Sequence, residues 1–312
     1  NQVMNPIGGT ELQVKLLEKH VDSKLLDNFQ ITTSVPEKEP LSKNKINILW
    51  QQNSYDQPNL APWFKDKDNH KKYDWYVFNS HWCYEKFRMV YKVPTERCTV
   101  IKNAIENFPE RKIFKKGDPI KMIFHPTPWR GLNVILGAMQ LLKNDNITLD
   151  VFSSTKIYGN QFMDANDDAY KPLYAQAAEL KNVNYRGWHS NDYICEHITD
   201  YQIFPYSNNW EETSCISAIE ALGAGLHMIT TNYGALFETC SEWPVYVQYD
   251  TNYKNMSECF AYAIDSVVDY LHHDRCQEHL QMQQEFYKKF YSWNKRRMEW
   301  TNFLEGVLNA KS

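Results

Sequence analysis

Short apolar runs alternate with more polar stretches along the second half of the chain. The apolar runs predict strands, and the stretches between them predict helices. Strands are expected at 121–124, 148–152, 184–186, 202–204 and 226–231, with helices at 132–143, 173–180, 192–198 and 213–224 and another from 235. Repeated strand–helix units give a parallel sheet with helices on both faces, and right-handed crossovers make that sheet doubly wound. From about 256 to 309 the pattern predicts helices without a strand.

The first half of the chain shows the same alternation less regularly. It predicts strands at 46–50, 74–79 and 98–101 and a helix at 80–91. Gly8 and Gly9 predict a turn before an earlier helix, in which Thr10 and Gln13 fit a capping box. A first strand is expected at or just before 1–4, and none is expected in the polar, proline-bearing region that follows the helix.

With 312 residues the chain is long enough for two domains. The helix breaker Gly117-Asp118-Pro119 follows a basic segment and marks the predicted boundary. We therefore expect one domain over 1–114 and a second over 115–285. Open α/β sheets bind ligands at the carboxyl ends of their strands, so two such domains would face each other across a ligand-binding cleft.

Composition narrows the function classes. The net charge is −4, which gives no electrostatic basis for binding nucleic acid. The apolar runs fall short of the roughly 20 residues that span a bilayer, and the polar start of the chain predicts no secretory signal. Seven cysteines without a CxxC pair indicate neither a disulfide framework nor a zinc site. A reducing, cytoplasmic compartment is the simplest interpretation.

The segment 204–225 carries the most informative chemistry. A strand ends there, a polar loop follows, and a helix of small residues is expected from Thr213. Glu212 and Glu220 are eight positions apart, so on a helix of about 100° per residue they would lie within roughly 80° of each other. Free N–H groups at the helix start are a natural cradle for a diphosphate, and they are expected at Ser214, Cys215 and Ile216.

A second signal is the stretch 120–139, which predicts a strand, a proline-bearing loop and a helix. Arg130-Gly131-Leu132 opens that helix and would bring Arg130 close to the diphosphate. A guanidinium group offers a planar fork of donors that suits phosphate oxygens. Such a fixed cation stabilises the charge that develops on a departing diphosphate.

These motifs resemble those of family 4 glycosyltransferases, which have the GT-B architecture. Glu212-x7-Glu220 followed by Ala221-Leu222-Gly223 looks like the E-x7-E signature of that family, and 230–238 resembles its next segment. The resemblance implies that Glu212 contacts the donor sugar near the reacting centre and that Glu220 contacts the ribose. Arg130 matches the second of two basic residues in the family's phosphate loop, whereas His125, Pro126 and Thr127 stand where the first would be.

The resemblance extends over most of the chain. Gly8 and Gly9 match the glycine-rich loop that closes over the donor, and Val100-Ile101-Lys102-Asn103-Ala104 is similar to the linker between the domains. The tail from Tyr291-Ser292-Trp293 resembles the family's last helix, which implies that 286–312 packs back on the first, acceptor-side domain. The match is poorest over 21–60, the region that usually sets the choice of acceptor.

The expected activity is therefore the retaining transfer of a sugar from a nucleoside diphosphate to an acceptor hydroxyl. The acceptor would be a carbohydrate, a lipid-linked molecule or another hydroxyl compound, and neither a metal nor a cofactor is implied. Asp66-Lys67-Asp68 spells the metal-binding motif of another glycosyltransferase class but lies in a polar loop without a preceding strand. Glu212 and Arg130 are the expected catalytic residues. The expected donor contacts are Glu220, Thr213, Ser214, Cys215, Ile216, Gly8, Gly9 and Thr10, and the candidate acceptor contacts are His81, Gln51 and Gln52.

Two alternatives stay open at this point. One is a degenerate protein that binds a sugar nucleotide, or acts as a scaffold, without turnover. The other is a different enzyme on the same fold, such as a nucleotide-sugar epimerase. The basic run Lys295-Arg296-Arg297 also leaves open peripheral association with the inner face of a membrane.

Overall fold

A computed structural model describes residues 8–311 and shows two parallel sheets, one in each half of the chain. The sheet of the first domain has the order β1-β2-β3-β4, and all its neighbouring strands are parallel. The strands are β1 (Phe29–Thr33), β2 (Ile46–Gln51), β3 (Trp75–Phe78) and β4 (Cys98–Val100), and the helices are α1 (Gly9–His20), α2 (Ser23–Leu26), α3 (Ala61–Lys65) and α4 (His81–Tyr91).

The second domain contains a six-stranded parallel sheet with the order β10-β9-β8-β5-β6-β7. Its strands are β5 (Ile120–Phe124), β6 (Ile147–Val151), β7 (Val183–Tyr185), β8 (Ile203–Tyr206), β9 (His227–Thr231) and β10 (Val245–Val247). The helices between the strands are α5 (Leu132–Met139), α6 (Asn160–Asn166), α7 (Lys171–Glu179), α8 (Asn191–His197), α9 (Ile216–Gly223) and α10 (Leu236–Cys240). The strand order reverses between β5 and β8, and this is the point where doubly wound sheets bind ligands.

Three helices close the chain, α11 (Tyr253–Tyr270), α12 (Asp274–Phe290) and α13 (Trp293–Lys311). Short 3-10 helices occupy Lys67–Lys72, Thr95–Arg97, Thr155–Tyr158, Asp167–Tyr170 and Ile198–Asp200. The chain crosses back to the first domain after α12, where the backbone of Ile105 pairs with that of Ser292. Helix α13 then completes the core of the first domain, with Trp300 packed edge-on against Trp50 at a centroid distance of 4.9 Å.

The expectation of paired doubly wound domains with a returning last helix is confirmed, but two strands escaped the sequence pattern. Strand β1 lies in the region expected to lack a strand. Its apolar Phe29 and Ile31 do alternate with Gln30 and Thr32, which is the period of a strand, but the pattern covers only five residues between polar flanks. Strand β10 has only three residues. The strand expected at 1–4 lies outside the described residues.

Two local predictions about helix starts are wrong. Thr10 lies inside α1 and does not cap it, because the N-cap is Gly8, which makes no side-chain capping bond. Gln13 instead exchanges two hydrogen bonds with the backbone of Ala104 and so holds the linker between the domains. Helix α9 begins at Ile216 rather than Thr213, so Glu212 precedes it by a loop and the helical angle between the two glutamates does not apply.

Candidate functional site

A cleft of about 970 Å³ lies between the domains, at the carboxyl ends of both sheets. The first domain lines it with the start of α1 and with the loops that follow β1 and β2. The second domain lines it with the loops that follow β5, β6, β7 and β8 and with the start of α9. The predicted site residues that line the cleft are Gly8, Gly9, Thr10, Gln52, Arg130, Glu212, Thr213, Ser214, Ile216 and Glu220.

Glu212 and Arg130 form an ion pair within the cleft. Nη1 of Arg130 lies 3.3 Å from Oε1 of Glu212, and the hydroxyl of Tyr206 donates to the same oxygen over 2.5 Å. The carboxylate is only 5% exposed. Among the described residues nothing donates a hydrogen bond to the second oxygen of Glu212, so that oxygen is free to accept one from a ligand.

Burial and charge act in opposite directions on this cluster. Burial by itself would lower the pKa of Arg130, but Glu212 and the neighbouring tyrosines outweigh it, and the net shift is upward. Burial and Glu212 both raise the pKa of Tyr206 well above its usual value, so the phenol remains a neutral donor. Nε of Arg130 is buried and has no partner among the described residues, which leaves a cationic donor for a ligand anion.

Two glycines with positive φ hold this cluster in place. Gly131, at φ +98°, is the N-cap of α5, and a Cβ there would lie 1.7 Å from the carbonyl oxygen of Ser207. Gly234, at φ +62°, packs against the backbone of Glu212, where a Cβ would come within 2.6 Å of the amide nitrogen. Glycine alone combines this left-handed conformation with so close an approach.

Glu220 lies on α9, about one turn from the start of the helix, lines the cleft and is 3% exposed. Its Oε2 accepts hydrogen bonds from the amide of Asn191 and the thiol of Cys195, each over 2.9 Å. Burial raises the pKa of Glu220, although these two hydrogen bonds oppose the shift. Its other carboxylate oxygen accepts no hydrogen bond from the described residues and remains available.

Three helix N-termini meet at the cleft without side-chain caps. They belong to α1, α5 and α9, whose N-cap residues are Gly8, Gly131 and Cys215. Gly9 lies against Ile216, so the starts of α1 and α9 are neighbours across the domain boundary. All three present the positive end of a helix dipole, and α1 and α9 also present free N–H groups, whereas at α5 the amides of Leu132 and Val134 bond to backbone carbonyls; the dipoles and free amides favour an anionic ligand.

The remaining predicted residues have different surroundings. Cys215 turns its side chain into the core of the second domain, leaving only its backbone at the helix start. Gln51 is buried and bonded to the backbones of Ser34 and Asn53, so it fixes two loops without lining the cleft. The backbone of His81 contacts Glu238 of the second domain, and its side chain lies outside the cleft.

Gln52 and Thr213 join the domains at the cleft floor. The Thr213 hydroxyl donates to the carbonyl oxygen of Gln52 over 3.0 Å and accepts from the amide of Asn79 over 3.1 Å. The Gln52 side chain exchanges two hydrogen bonds with that of Asn103. The Thr213 hydroxyl is thus already paired across the domain boundary, and the Gln52 side-chain amide is already paired within the first domain.

The interpretation of the sequence missed several residues of the site. Tyr206 ends β8 and was overlooked because its strand looked entirely like core. His125 follows β5, and both its ring nitrogens are buried without a partner. Burial lowers the pKa of His125 to about 4, so the ring is neutral at physiological pH. Its position directly after a predicted strand was the one signal available for it.

Aromatic rings form one wall of the cleft. Trp129 stacks on Tyr158 with centroids 5.7 Å apart and contacts Phe162 and Tyr170 at its edges. Tyr158 also reaches the first domain, because a Cβ on Gly8 would lie 3.7 Å from its ring. Aromatic faces of this kind pack against the C–H faces of rings in a ligand.

Within 8–311, no group of three or more histidine, cysteine, aspartate or glutamate side chains is placed to hold a metal ion. In the same range, every helix is too short or too polar to pass through a bilayer. All seven cysteines have free thiols.

No protein-family model matches the chain, and no curated protein matches it by sequence. Solved structures do match it. A glycosyltransferase from Rickettsia africae is 14% identical with a TM-score of 0.66, over 99% of this chain and 83% of the other. Sucrose-phosphate synthase from Thermosynechococcus elongatus is 13% identical with a TM-score of 0.68, over 96% and 79%. HepE from Anabaena, in complex with UDP and glucose, is 12% identical with a TM-score of 0.62, over 84% and 72%.

These similarities settle the architecture. The chain has the GT-B fold, in which two Rossmann-like domains face each other across a cleft and the last helix returns to the first domain. At such low sequence identity the matches show the fold, and the chemistry has to be argued from the residues of this cleft.

Proposed function

We propose that this chain is a retaining glycosyltransferase of the family 4 type, which transfers a sugar from a nucleoside diphosphate to an acceptor hydroxyl. One observation carries the proposal. The paired Arg130 and Glu212 face the same cleft as three uncapped helix N-termini. This arrangement offers a carboxylate for sugar hydroxyls beside a cationic, donor-rich surface for a diphosphate.

In the proposed complex the diphosphate lies against the starts of α5 and α9. Nε of Arg130 and the free backbone amides donate to its oxygens, which stabilises the charge that develops as the sugar–phosphate bond breaks. Gly8 and Gly9 allow the start of α1 to approach from the other domain. Glu220 accepts hydrogen bonds from the ribose hydroxyls through its unoccupied oxygen.

Glu212 has two roles in the proposed reaction. Its free oxygen accepts a hydrogen bond from a hydroxyl of the donor sugar and thereby orients the ring. Its negative charge, held beside Arg130 and Tyr206, stabilises positive charge at the anomeric carbon. The acceptor oxygen bonds to that carbon on the face the diphosphate leaves, the diphosphate departs with the bonding electrons, and it takes the acceptor proton.

The acceptor we propose is a carbohydrate. The first-domain half of the cleft is lined mainly by amide and hydroxyl side chains, whose alternating donors and acceptors suit sugar hydroxyls: Thr33, Ser34, Gln52, Asn53, Ser54, Gln57, Asn59 and Asn103. The aromatic wall around Trp129 adds a stacking surface. The complex of HepE with UDP and glucose supports the same class of ligands for this cleft. The free thiols of the chain support a cytoplasmic location.

The first test is a thermal-shift panel of UDP, GDP, ADP and TDP sugars on the wild type and Glu220→Ala, without added metal. A ligand that binds only the native state raises the apparent stability by mass action. One sugar nucleotide should raise the melting temperature, and Glu220→Ala should lose that response. If no sugar nucleotide stabilises a well-folded wild type, the donor site is wrongly assigned. Binding without transfer to any acceptor would favour a degenerate binding protein.

A further inference from the structure

We propose that the acceptor carries an anionic group, a phosphate or a carboxylate, which binds to Ser34, Ser54 and Lys38 at the rim of the first domain. The proposal rests on the function proposed above and deepens it by naming the acceptor class. The three residues come from the loops that follow β1 and β2, and all three line the interdomain cleft.

The two serine hydroxyls are unsatisfied donors. Ser34 is 7% exposed and Ser54 is 6% exposed, and neither Oγ has a hydrogen-bond partner among the described residues. A buried hydroxyl without a partner destabilises the fold, so a folded protein normally leaves one unpaired only where a ligand or water completes it. Both hydroxyls line the cleft, and they lie in the loops that follow two adjacent strands of the sheet, β1 and β2.

The loops that carry these serines are held rigidly. Ser34 adopts the left-handed conformation at φ +63°, and its amide donates to the carbonyl oxygen of Trp50 over 3.0 Å. The side chain of Gln51 donates to the carbonyl oxygen of Ser34 over 3.0 Å and accepts from the amide of Asn53 over 2.9 Å. Gln51 is thus a positioning residue that links the two loops. Ser54 is the residue after Asn53, so this link also fixes the loop that carries Ser54.

Lys38 supplies the charge. Its ammonium group donates to Oγ1 of Thr33 over 2.6 Å, which directs it to the end of β1, and no carboxylate among the described residues pairs with it. The nearby Glu37 is occupied by Lys72 and by the indole of Trp63. An ammonium group beside hydroxyl donors is the chemistry that recognises a phosphate or carboxylate.

The charge on the cleft wall follows the same division. In the first-domain half, Lys15 and Lys38 oppose the single carboxylate of Glu11. In the second-domain half, Arg130 faces four carboxylates, those of Asp192, Glu211, Glu212 and Glu220. The first-domain half of the wall therefore carries a net positive charge, which favours an anionic group on the acceptor at this side of the cleft.

The test uses inorganic phosphate as the probe, with UDP saturating the diphosphate site. Relative to sodium chloride of equal ionic strength, phosphate should raise the melting temperature of the wild type by about 2–4 °C. Lys38→Gln and Ser34→Ala should lose most of that increment. Lys43→Gln, an exposed lysine outside the cleft in the same domain, should retain it. Equal responses to phosphate and chloride, or a full increment in Lys38→Gln, would overturn the proposal.

The response to UDP alone separates this proposal from the function on which it rests. If UDP fails to stabilise the wild type, the donor site is wrong, and the comparison of Lys38→Gln with wild type in phosphate still decides the anion site. A second series with glucose, glucose 6-phosphate and glucuronate distinguishes the two anions. We expect one of the anionic sugars to stabilise the UDP complex at a concentration at least tenfold below that required for glucose, and equal potency of all three would contradict the anionic acceptor.

Discussion

Glu238 of the second domain accepts hydrogen bonds from the backbone amides of His81 and Trp82, at 2.9 and 2.8 Å. It thereby caps helix α4 of the first domain from across the domain boundary, and Lys102 of the linker lies 3.3 Å from the same carboxylate. A carboxylate at a helix N-terminus is favoured by the dipole and by the free amides. Glu238 therefore stabilises the contact between the two domains.

Replacing Glu238 with glutamine should loosen that contact. The charge that complements the helix dipole and Lys102 would be lost, with a cost of about 1 kcal/mol on the scale of capping interactions. We expect a lower melting temperature and a larger radius of gyration in solution scattering. Glu242→Gln, an exposed neighbour without a described partner, is the matched control. Unchanged scattering and stability in Glu238→Gln would show that the contact does not hold the domains together.

The Glu212→Gln variant should separate catalysis from donor binding. The amide keeps the shape of the side chain and can still accept from Tyr206, but it no longer offers a negative charge to the anomeric carbon. Transfer should fall by about 10²–10³-fold, the usual effect of removing one electrostatic contact to the transition state. The UDP dissociation constant should change less than threefold. Glu179→Gln, on the exposed face of α7, should keep full activity, and a fully active Glu212→Gln would exclude the proposed role.

Arg130 should be required for binding the diphosphate. Arg130→Ala loses charge-assisted hydrogen bonds worth about 1.5–3 kcal/mol. The dissociation constant for UDP should therefore be about 10- to 100-fold larger in this variant. Arg130→Lys should recover only part of the affinity, because an ammonium group lacks the planar fork. Isothermal titration of uridine alongside UDP is the control, since uridine has no phosphate. A similar loss of affinity for both ligands would place Arg130 away from the diphosphate.

Donor binding should weaken in mild acid because of Glu220. Burial raises the pKa of this carboxyl, so protonation begins at a higher pH than for an ordinary glutamate and removes the negative charge that strengthens the hydrogen bonds from the ribose. A raised folded-state pKa also means that the charged form costs stability above the unfolded-state pKa. Without a bound ligand, the Glu220→Gln variant should therefore melt about 1–3 °C above wild type at pH 8, with a smaller difference at pH 5. It should bind UDP weakly at both pH values, whereas an unchanged affinity would argue against a ribose contact.

Gly131 should tolerate no side chain. Alanine there combines an unfavourable left-handed conformation with a Cβ 1.7 Å from the carbonyl oxygen of Ser207. Gly117 has nearly the same φ, +95°, but nothing lies within 4 Å of its Cβ position. Gly117→Ala should lose about 1–2 kcal/mol from conformation alone, and Gly131→Ala should lose more and also weaken UDP binding. Equal unfolding free energies from urea titrations of the two variants would show that the clash is relieved at no cost.

The sequence alone determined much of the second domain and three of the residues that line its side of the cleft. Each strand–helix unit there buries its own apolar run, so the local pattern predicts the element. Arg130, Glu212 and Glu220 were identified by their spacing around the predicted strands and helices, and the structure places all three at the cleft. Strand β1 and strand β10 were not predicted, because both are short and lack a continuous apolar run, and among the described strands each lies at the edge of its sheet, where pairing with one neighbour decides the conformation.

Only the tertiary structure decided which partners these residues have. The pairing of Arg130 with Glu212 joins positions 82 residues apart, and the bond from Asn79 to Thr213 joins positions 134 apart. The unsatisfied hydroxyls of Ser34 and Ser54 are equally invisible in the sequence, because a serine in a polar loop looks the same whether its hydroxyl meets solvent or is buried at a cleft. Local pattern fixes which elements form, whereas burial, charge pairing and unsatisfied donors depend on which elements the fold brings together.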